Sequence, residues 1–170
     1  MSVPANAGFW DFSLRVYARD GVAEACLGLQ DRRGADVNLL LYCGWAAATG
    51  RGALGTDELE RLVDLTGPWQ DSVIQPLRQV RRGLKELGED EMPAAASLRQ
   101  DVQKIELAAE KIEQDMLAAA ASELDAGKAG KSDPRQDAED SLTAYMTVLG
   151  VEATEDERRD LATLLDAFAG

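Results

Sequence analysis

The chain contains no histidine in its 170 residues. Histidine is the commonest general base near neutral pH and a frequent ligand of zinc. Without it, Ser-His-Asp and Cys-His nucleophile pairs cannot be built from this chain alone. The sequence therefore predicts no catalytic residue, no metal site and no cofactor. Whether the protein is an enzyme stays open, and the residue set favours a role without catalysis.

Cysteine is scarce as well, with Cys26 and Cys43 as the two examples. Two cysteines cannot form the disulfide framework of a small secreted domain. If two antiparallel helices meet at a turn near Gly34, both thiols lie at a similar height and could approach each other. Core packing and a redox or metal role are the two interpretations, and core packing is the more typical of thiols on apolar helix faces.

Long apolar runs are also missing. The longest nearly unbroken run covers residues 39–48, which is too short for a bilayer that requires about 20 residues. The opening residues "MSVPANAG" show no basic segment followed by an apolar one, as a secretory signal would. We therefore expect a cytoplasmic protein that does not enter a membrane.

Positive charge is in deficit, and the deficit is uneven. The net charge is −13. Residues 1–87 carry 10 basic and 11 acidic side chains, whereas residues 88–170 carry 8 basic and 20 acidic ones. Nucleic-acid backbones favour basic surfaces, so this balance disfavours nucleic acid as the main partner.

Apolar residues recur at spacings of three and four, which predicts helices throughout. We expect an all-α bundle of about seven to eight helices. The first three should cover residues 9–18, 22–33 and 37–49, with Gly34 and Asp36 as caps between the last two. A short fourth helix should begin at a Thr56 cap and end at "TGP". A fifth should then begin at Pro68, and Pro76 inside it should kink or split it.

The longest predicted helix lies near residues 94–124. Its apolar residues alternate spacings of four and three, which is typical of a helix-pairing seam. The candidate seam residues are Leu98, Val102, Ile105, Ala109, Ile112 and Met116. Another protein or a second copy of the chain, held through helices, is the expected partner.

Composition divides the chain into three parts. Residues 1–124 should form the bundle core, and the polar, glycine-bearing stretch 125–133 reads as a linker. Residues 134–170 should form a C-terminal helical hairpin docked on the same domain. Its second helix has a T-x-x-E capping pattern at Thr154 and Glu157.

Polar residues inside the aromatic N-terminal part suggest a ligand pocket. The candidate pocket residues are Trp10, Asp11, Asn38, Tyr42 and Trp45. The alternative is that Asp11 and Asn38 act locally, near helix ends, while the aromatic side chains fill the core. The motif "GRGALG" matches a dinucleotide-binding pattern only in its letters, because no strand precedes it.

A second candidate site is a cationic cluster on the fifth predicted helix. It comprises Arg78, Arg81, Arg82 and Lys85. These residues could bind a carboxylate or phosphate group of a partner. The competing interpretation is that they pair with acidic side chains of the same chain.

The N-terminal part also resembles a known family. The matching residues are Phe9-Trp10-Asp11-Phe12-Ser13, Tyr17, Gly21-Val22, Cys26-Leu27, Leu29-Gln30-Asp31, Gly34, Asp36-Val37-Asn38-Leu39-Leu40-Leu41 and Trp45. This pattern resembles a family of uncharacterised, chiefly proteobacterial small helical proteins, over residues 8 to about 125. The resemblance implies a helical fold and a bacterial source, and it supplies no activity. The function predicted from the residues is a non-enzymatic protein-interaction or adaptor module, with a small-molecule-binding protein or enzyme as the alternative.

Overall fold

A computed structural model describes residues 8–87, 92–124, 133–150 and 152–169. Within these residues the chain forms helices and no strand, which confirms the predicted all-α bundle. The first three helices are α1 (Phe9–Tyr17), α2 (Val22–Arg33) and α3 (Val37–Ala48). They lie within a residue of the predicted ranges, because their apolar spacing and their caps agree.

The middle of the chain differs from its prediction. Helix α4 (Thr56–Trp69) continues through a π-helical segment (Gln70–Ile74) into α5 (Gln75–Glu86). The expected end of a helix at "TGP" is therefore wrong, and Pro68 lies inside α4. The expected Thr56 cap is also wrong, because Gly55 holds the N-cap position and donates its N–H to Glu58 Oε2 at 2.9 Å.

Burial explains why this helix continues. Leu62, Thr66, Gln70, Ile74 and Arg78 are buried at successive intervals of four residues. An α-helix with about 3.6 residues per turn drifts away from such a spacing, and the wider π-helical turn restores the phase. The π-helical segment also ends two residues before Pro76, whose nitrogen has no N–H to donate to the carbonyl four residues earlier.

Three more helices complete the described residues. They are α6 (Pro93–Leu124), α7 (Pro134–Val148) and α8 (Glu155–Ala169). Asp133 caps α7 by accepting from the Arg135 N–H at 3.0 Å. Of the predicted linker 125–133, the residues before Asp133 lie outside the described residues.

Helix α3 occupies the centre of the bundle. Its residues from Asn38 to Ala47 are all buried, as expected for a helix that is apolar nearly all round. It contacts α1, α2, α6, α7 and α8, while α8 also packs on α2 and α5 packs on α6. Gly44 allows α8 to approach α3 closely, because a Cβ there would lie 2.5 Å from the Phe168 ring.

Caps between the helices follow the sequence rules in most places. Gly34 ends α2 with a left-handed φ of 66°, and the Asp36 side chain accepts the Asn38 N–H at the start of α3. The Thr154 N–H donates to Glu157 Oε2 at 2.8 Å, as the capping-box pattern predicted. Across the described ranges, none of the helices combines the length and apolar character needed to span a bilayer.

Candidate functional site

A cleft with a volume of about 430 Å³ lies between α1, α2, α5 and α6, with α3 at its floor. Large apolar side chains from three of these helices surround it. Leu14 and Leu27 are 50% and 46% exposed, and Tyr17 and Leu107 are 37% and 49% exposed. Exposed apolar side chains gathered around one concavity are typical of a binding surface. We call this concavity the cleft.

The sequence places these side chains at the cleft through helix periodicity. Phe9, Phe12 and Val16 form the buried face of α1. Leu14 and Tyr17, three residues apart, then share a different face, since neighbours on a helix surface are three or four residues apart. That face borders the cleft and is not covered by another described element.

One wall of the cleft is an ionic cluster. Arg78 is buried, and its Nε and Nη2 donate to Glu106 Oε1 at 3.3 Å and Glu110 Oε1 at 2.9 Å. Arg81 also pairs with Glu106. Burial raises the pKa of Glu110, and Arg78 opposes that shift. These two arginines are thus already neutralised by carboxylates of the same chain.

The other two cationic candidates are more exposed. Arg82 lies 3.7 Å from Asp31, with both side chains more than half exposed. An ion pair of this kind contributes little, about 0–1 kcal/mol. Lys85 is exposed one turn further along α5. The predicted cluster therefore divides into Arg78 and Arg81, which are paired with carboxylates of α6, and the more exposed Arg82 and Lys85.

Beneath the cleft lies a buried hydrogen-bond network centred on Glu113. Its Oε2 accepts from Asn38 Nδ2 at 2.7 Å and from Gln70 Nε2 at 2.8 Å. Asn38 Oδ1 in turn accepts from Gln114 Nε2 at 2.8 Å. Since Asn38 and Gln114 line the cleft, the network fixes the orientation of the polar groups at its floor.

Glu113 is fully buried, and its pKa is raised to about 9, chiefly by burial. The charge of Asp36 and a hydrogen bond to that carboxylate contribute to this increase, while the donors Asn38 and Gln70 oppose it. Glu113 is therefore protonated at neutral pH and donates a hydrogen bond to the carboxylate of Asp36. Asp36 also donates its backbone N–H to the Tyr145 hydroxyl at 2.8 Å, and burial raises the pKa of that tyrosine.

The five predicted pocket residues do not share one site. Trp10 and Asn38 line the cleft, and Asp11 is exposed on α1. Tyr42 and Trp45 are buried in the core, where their rings lie 5.5 Å and 5.2 Å from the ring of Phe9.

Sequence reasoning missed Glu113, Gln114 and Gln70. A signal for Glu113 exists on α6, where the buried residues recur every three or four positions. Those residues are Val102, Glu106, Ala109, Glu113 and Leu117. Two carboxylates within this buried row indicate buried polar partners, because an isolated buried charge is very costly.

The predicted helix-pairing seam is divided between two faces. Leu98, Ile105 and Ile112 are each about half exposed, and they form a row that we call the α6 stripe. Val102 and Ala109 are buried, and Met116 is partly buried.

A second cavity of about 510 Å³ lies beside the cleft. It shares Gln30, Arg78 and Arg82 with the cleft, and carboxylates from three elements line it. Those carboxylates belong to Asp31, Asp36 and Asp71. We call the cleft and this cavity together the trough.

Two motifs from the sequence take no part in the cleft. Cys26 and Cys43 are free and buried, and burial raises both pKa values to about 12, so neither is a thiolate at neutral pH. The "GRGALG" motif forms the connection from α3 to α4, with Gly50 and Gly52 at positive φ. Over the described part of the chain, no group of three or more acidic or cysteine side chains is placed to hold a metal ion.

Comparison with known proteins identifies a family. The sequence profile of the family described as "Protein of unknown function (DUF2390)" matches residues 8–117. The match covers more than half of the chain and includes α1 to α5 and most of α6. No curated protein and no solved structure matches the chain. The resemblance to an uncharacterised family is thus confirmed, and the chain belongs to the DUF2390 family.

Proposed function

We propose that the chain is a protein-interaction module that works in the cytoplasm and binds a segment of a partner protein in the cleft. The observation that carries this proposal is the ring of four large apolar side chains around one concavity. Each buried leucine-sized side chain contributes about 1.5–3 kcal/mol when it leaves water. Covering this ring with partner side chains is therefore favourable.

The floor of the cleft supports specific recognition. Asn38 and Gln114 are held by the Glu113 network, so the polar groups beneath an incoming side chain have fixed positions. A binding site that is already ordered loses less conformational entropy on association. A protein partner also suits the charge distribution better than nucleic acid, because Arg78 and Arg81 are neutralised by Glu106 and Glu110.

A site-specific photo-crosslinking experiment tests the proposal. A benzophenone side chain placed at Leu27 in the cleft should give a discrete adduct in a lysate of the source organism. The same group at Leu65, which is similarly exposed on α4 and lies outside the cleft, is the matched control. The adduct at Leu27 should disappear when Leu14→Asp is added to the same chain. Equal adducts at both positions, or an adduct insensitive to Leu14→Asp, would contradict the proposal.

The α6 stripe is the second interaction surface that we propose. Leu98, Ile105 and Ile112 are spaced by seven residues on a helix of 32 residues. Such a row suits pairing with another helix, including that of a second copy. Its three side chains are few compared with the roughly 20–30 residues that each partner contributes to a standard interface. Pairing through the α6 stripe alone should therefore be weak.

Binding of a small molecule in the cleft is the second candidate function. Its volume of about 430 Å³ lies within the range of roughly 300–1,000 Å³ that is common for small ligands. Trp10 supplies an aromatic surface, and Asn38 and Gln114 supply polar groups. A thermal-shift screen of small molecules tests this candidate, since saturating binding raises the unfolding temperature by mass action. A molecule that stabilises the wild type should no longer raise the unfolding temperature of Trp10→Ala. It should still raise that of Glu60→Gln, the control at an exposed position of α4 outside the cleft.

A further inference from the structure

The trough has two chemically different ends. At the cleft end, Leu14, Tyr17, Leu27 and Leu107 are exposed. At the other end, Asp31, Asp36 and Asp71 come from α2, from the start of α3 and from the π-helical segment. A segment that lies along the trough therefore meets apolar side chains first and carboxylates second.

The charge at the acidic end is not balanced by the nearby arginines. Arg78 lines this end, but its guanidinium is taken by Glu106 and Glu110 on α6. Arg82 Nη2 lies 3.7 Å from Asp31 Oδ1, and both side chains are more than half exposed, so this ion pair is weak. Asp71 is exposed, and among the described residues no arginine or lysine forms an ion pair with it. Asp36 is already engaged by the carboxyl group of Glu113 and by the Asn38 N–H. Asp31 and Asp71 thus have carboxylate oxygens available for new donors.

Resting on the proposed function, we propose that the partner segment carries an apolar cluster followed by arginine or lysine residues. The apolar cluster would occupy the cleft, and the basic residues would form ion pairs with the carboxylates at the acidic end. Arg82 stands between the two ends and bridges α5 to Asp31 of α2. A basic residue of the partner would displace Arg82 from Asp31 and donate to that carboxylate with better geometry.

The charge of the whole chain acts in the same direction. A net charge of −13 attracts a basic segment over long range, which increases the rate of association. At physiological ionic strength the screening length is about 8 Å, so the carboxylates inside the trough decide the final affinity. An acidic segment would be repelled by both contributions.

Fluorescence anisotropy with two labelled synthetic peptides tests the inference. One peptide has a short run of leucine and phenylalanine followed by arginine and lysine, and the other has the same apolar run followed by glutamate. The basic peptide should bind roughly tenfold or more tightly than the acidic one, and higher salt should weaken its binding. Equal affinity of both peptides would overturn the inference.

Matched variants separate a site in the trough from general attraction. Asp31→Asn with Asp71→Asn should weaken binding of the basic peptide at least several-fold. Glu60→Gln with Asp64→Asn makes the same charge change on exposed positions of α4 and should have a much smaller effect. If the two pairs have equal effects, only the overall charge matters and the inference is wrong.

Leu27→Ser distinguishes this inference from the proposed function. If it abolishes binding of both peptides, and the peptides bind the wild type equally, the cleft binds apolar segments but has no preference for basic ones. If it leaves binding of the basic peptide unchanged, the cleft is not the binding site, and the proposed function fails as well. Loss of basic-peptide binding in both Leu27→Ser and the aspartate pair supports the two together.

Discussion

Glu113 shows how a single buried residue organises the centre of the bundle. Its carboxyl group is excluded from solvent, receives two amide donors and faces the carboxylate of Asp36. Two carboxylates in contact cannot both ionise without a large cost, so one keeps its proton. The protonated Glu113 thereby links α6 to the N-cap of α3 and to the π-helical segment.

The raised pKa of Glu113 predicts a pH-dependent stability. Folding binds a proton between the ordinary carboxyl pKa near 4.5 and the folded pKa of about 9. The unfolded state binds fewer protons there, so the free energy of unfolding should fall as pH rises, by at most about 1.4 kcal/mol per pH unit. Glu113→Gln cannot ionise, and it should flatten this slope and be the more stable protein near pH 8. Urea denaturation between about pH 5.5 and pH 8 measures both effects.

The control for this prediction is Glu60→Gln, an exposed position on α4. It should keep the wild-type slope, because it removes a carboxyl group without changing the Glu113 network. An unchanged slope in Glu113→Gln would mean that Glu113 is ionised in the folded protein.

Glu157 is the opposite case at the residue scale. Hydrogen bonds from Arg33 and from the Thr154 N–H lower its pKa to about 2. Its contribution to stability is complete above the ordinary carboxyl pKa and is lost as pH falls towards 2. Glu157→Gln should therefore be less stable at neutral pH and less sensitive to acid. Circular dichroism during acid titration measures this, with Glu155→Gln in the same turn as a control that should behave as the wild type.

At the scale of elements, the contact between α3 and α8 depends on a missing side chain. A Cβ at Gly44 would lie 2.5–2.6 Å from atoms of the Phe168 ring. Gly44→Ala should therefore destabilise the protein by about 1–3 kcal/mol through overpacking. Urea denaturation gives the total effect, and hydrogen exchange should show the largest loss of protection in α8.

Gly83 on α5 provides the matched control, because a Cβ there meets no atom within 4 Å. Gly83→Ala should stabilise the protein by about 0.5–1 kcal/mol, since alanine favours the helical backbone. If both alanine variants were stabilising, α8 would not be packed against α3 as closely as the structure shows.

The helices also show how far local sequence rules reach. The ranges of α1, α2 and α3 were predictable because glycine, the Asp36 cap and the apolar spacing all indicate the same boundaries. The "TGP" motif indicates a helix end by the same local rules, yet the helix continues through it. The helix continues there because a row of residues from Leu62 to Arg78 is buried, and that burial depends on contacts with helices elsewhere in the sequence.

At the scale of the whole molecule, the candidate site was only partly predictable. Asn38 was identified because a polar residue in an apolar helix needs a partner. The partner itself, Glu113, is 75 residues away, and no local pattern connects the two. Tyr42 and Trp45 belong to the core rather than to the cleft. Single-sequence spacing shows which residues share a face, but not which other helix covers that face.

The charge of the whole molecule should control self-association through the α6 stripe. Two copies that pair through Ile105 bring together chains of net charge −13 each. The screening length is about 10 Å at 0.1 M salt and about 3 Å at 1 M salt, so high salt removes most of this repulsion. Light scattering after size exclusion should therefore give a monomer at low salt and a mass that rises towards a dimer at high salt.

Two variants locate the surface responsible for this association. Ile105→Glu places a charge in the middle of the α6 stripe and should keep the protein monomeric at every salt concentration, because pairing would bury that charge. Leu27→Glu makes the same kind of change in the cleft and should leave the salt-dependent dimer intact. If Leu27→Glu prevents the dimer instead, the two copies associate through their clefts, and the same surface would then serve both self-association and the binding of a partner.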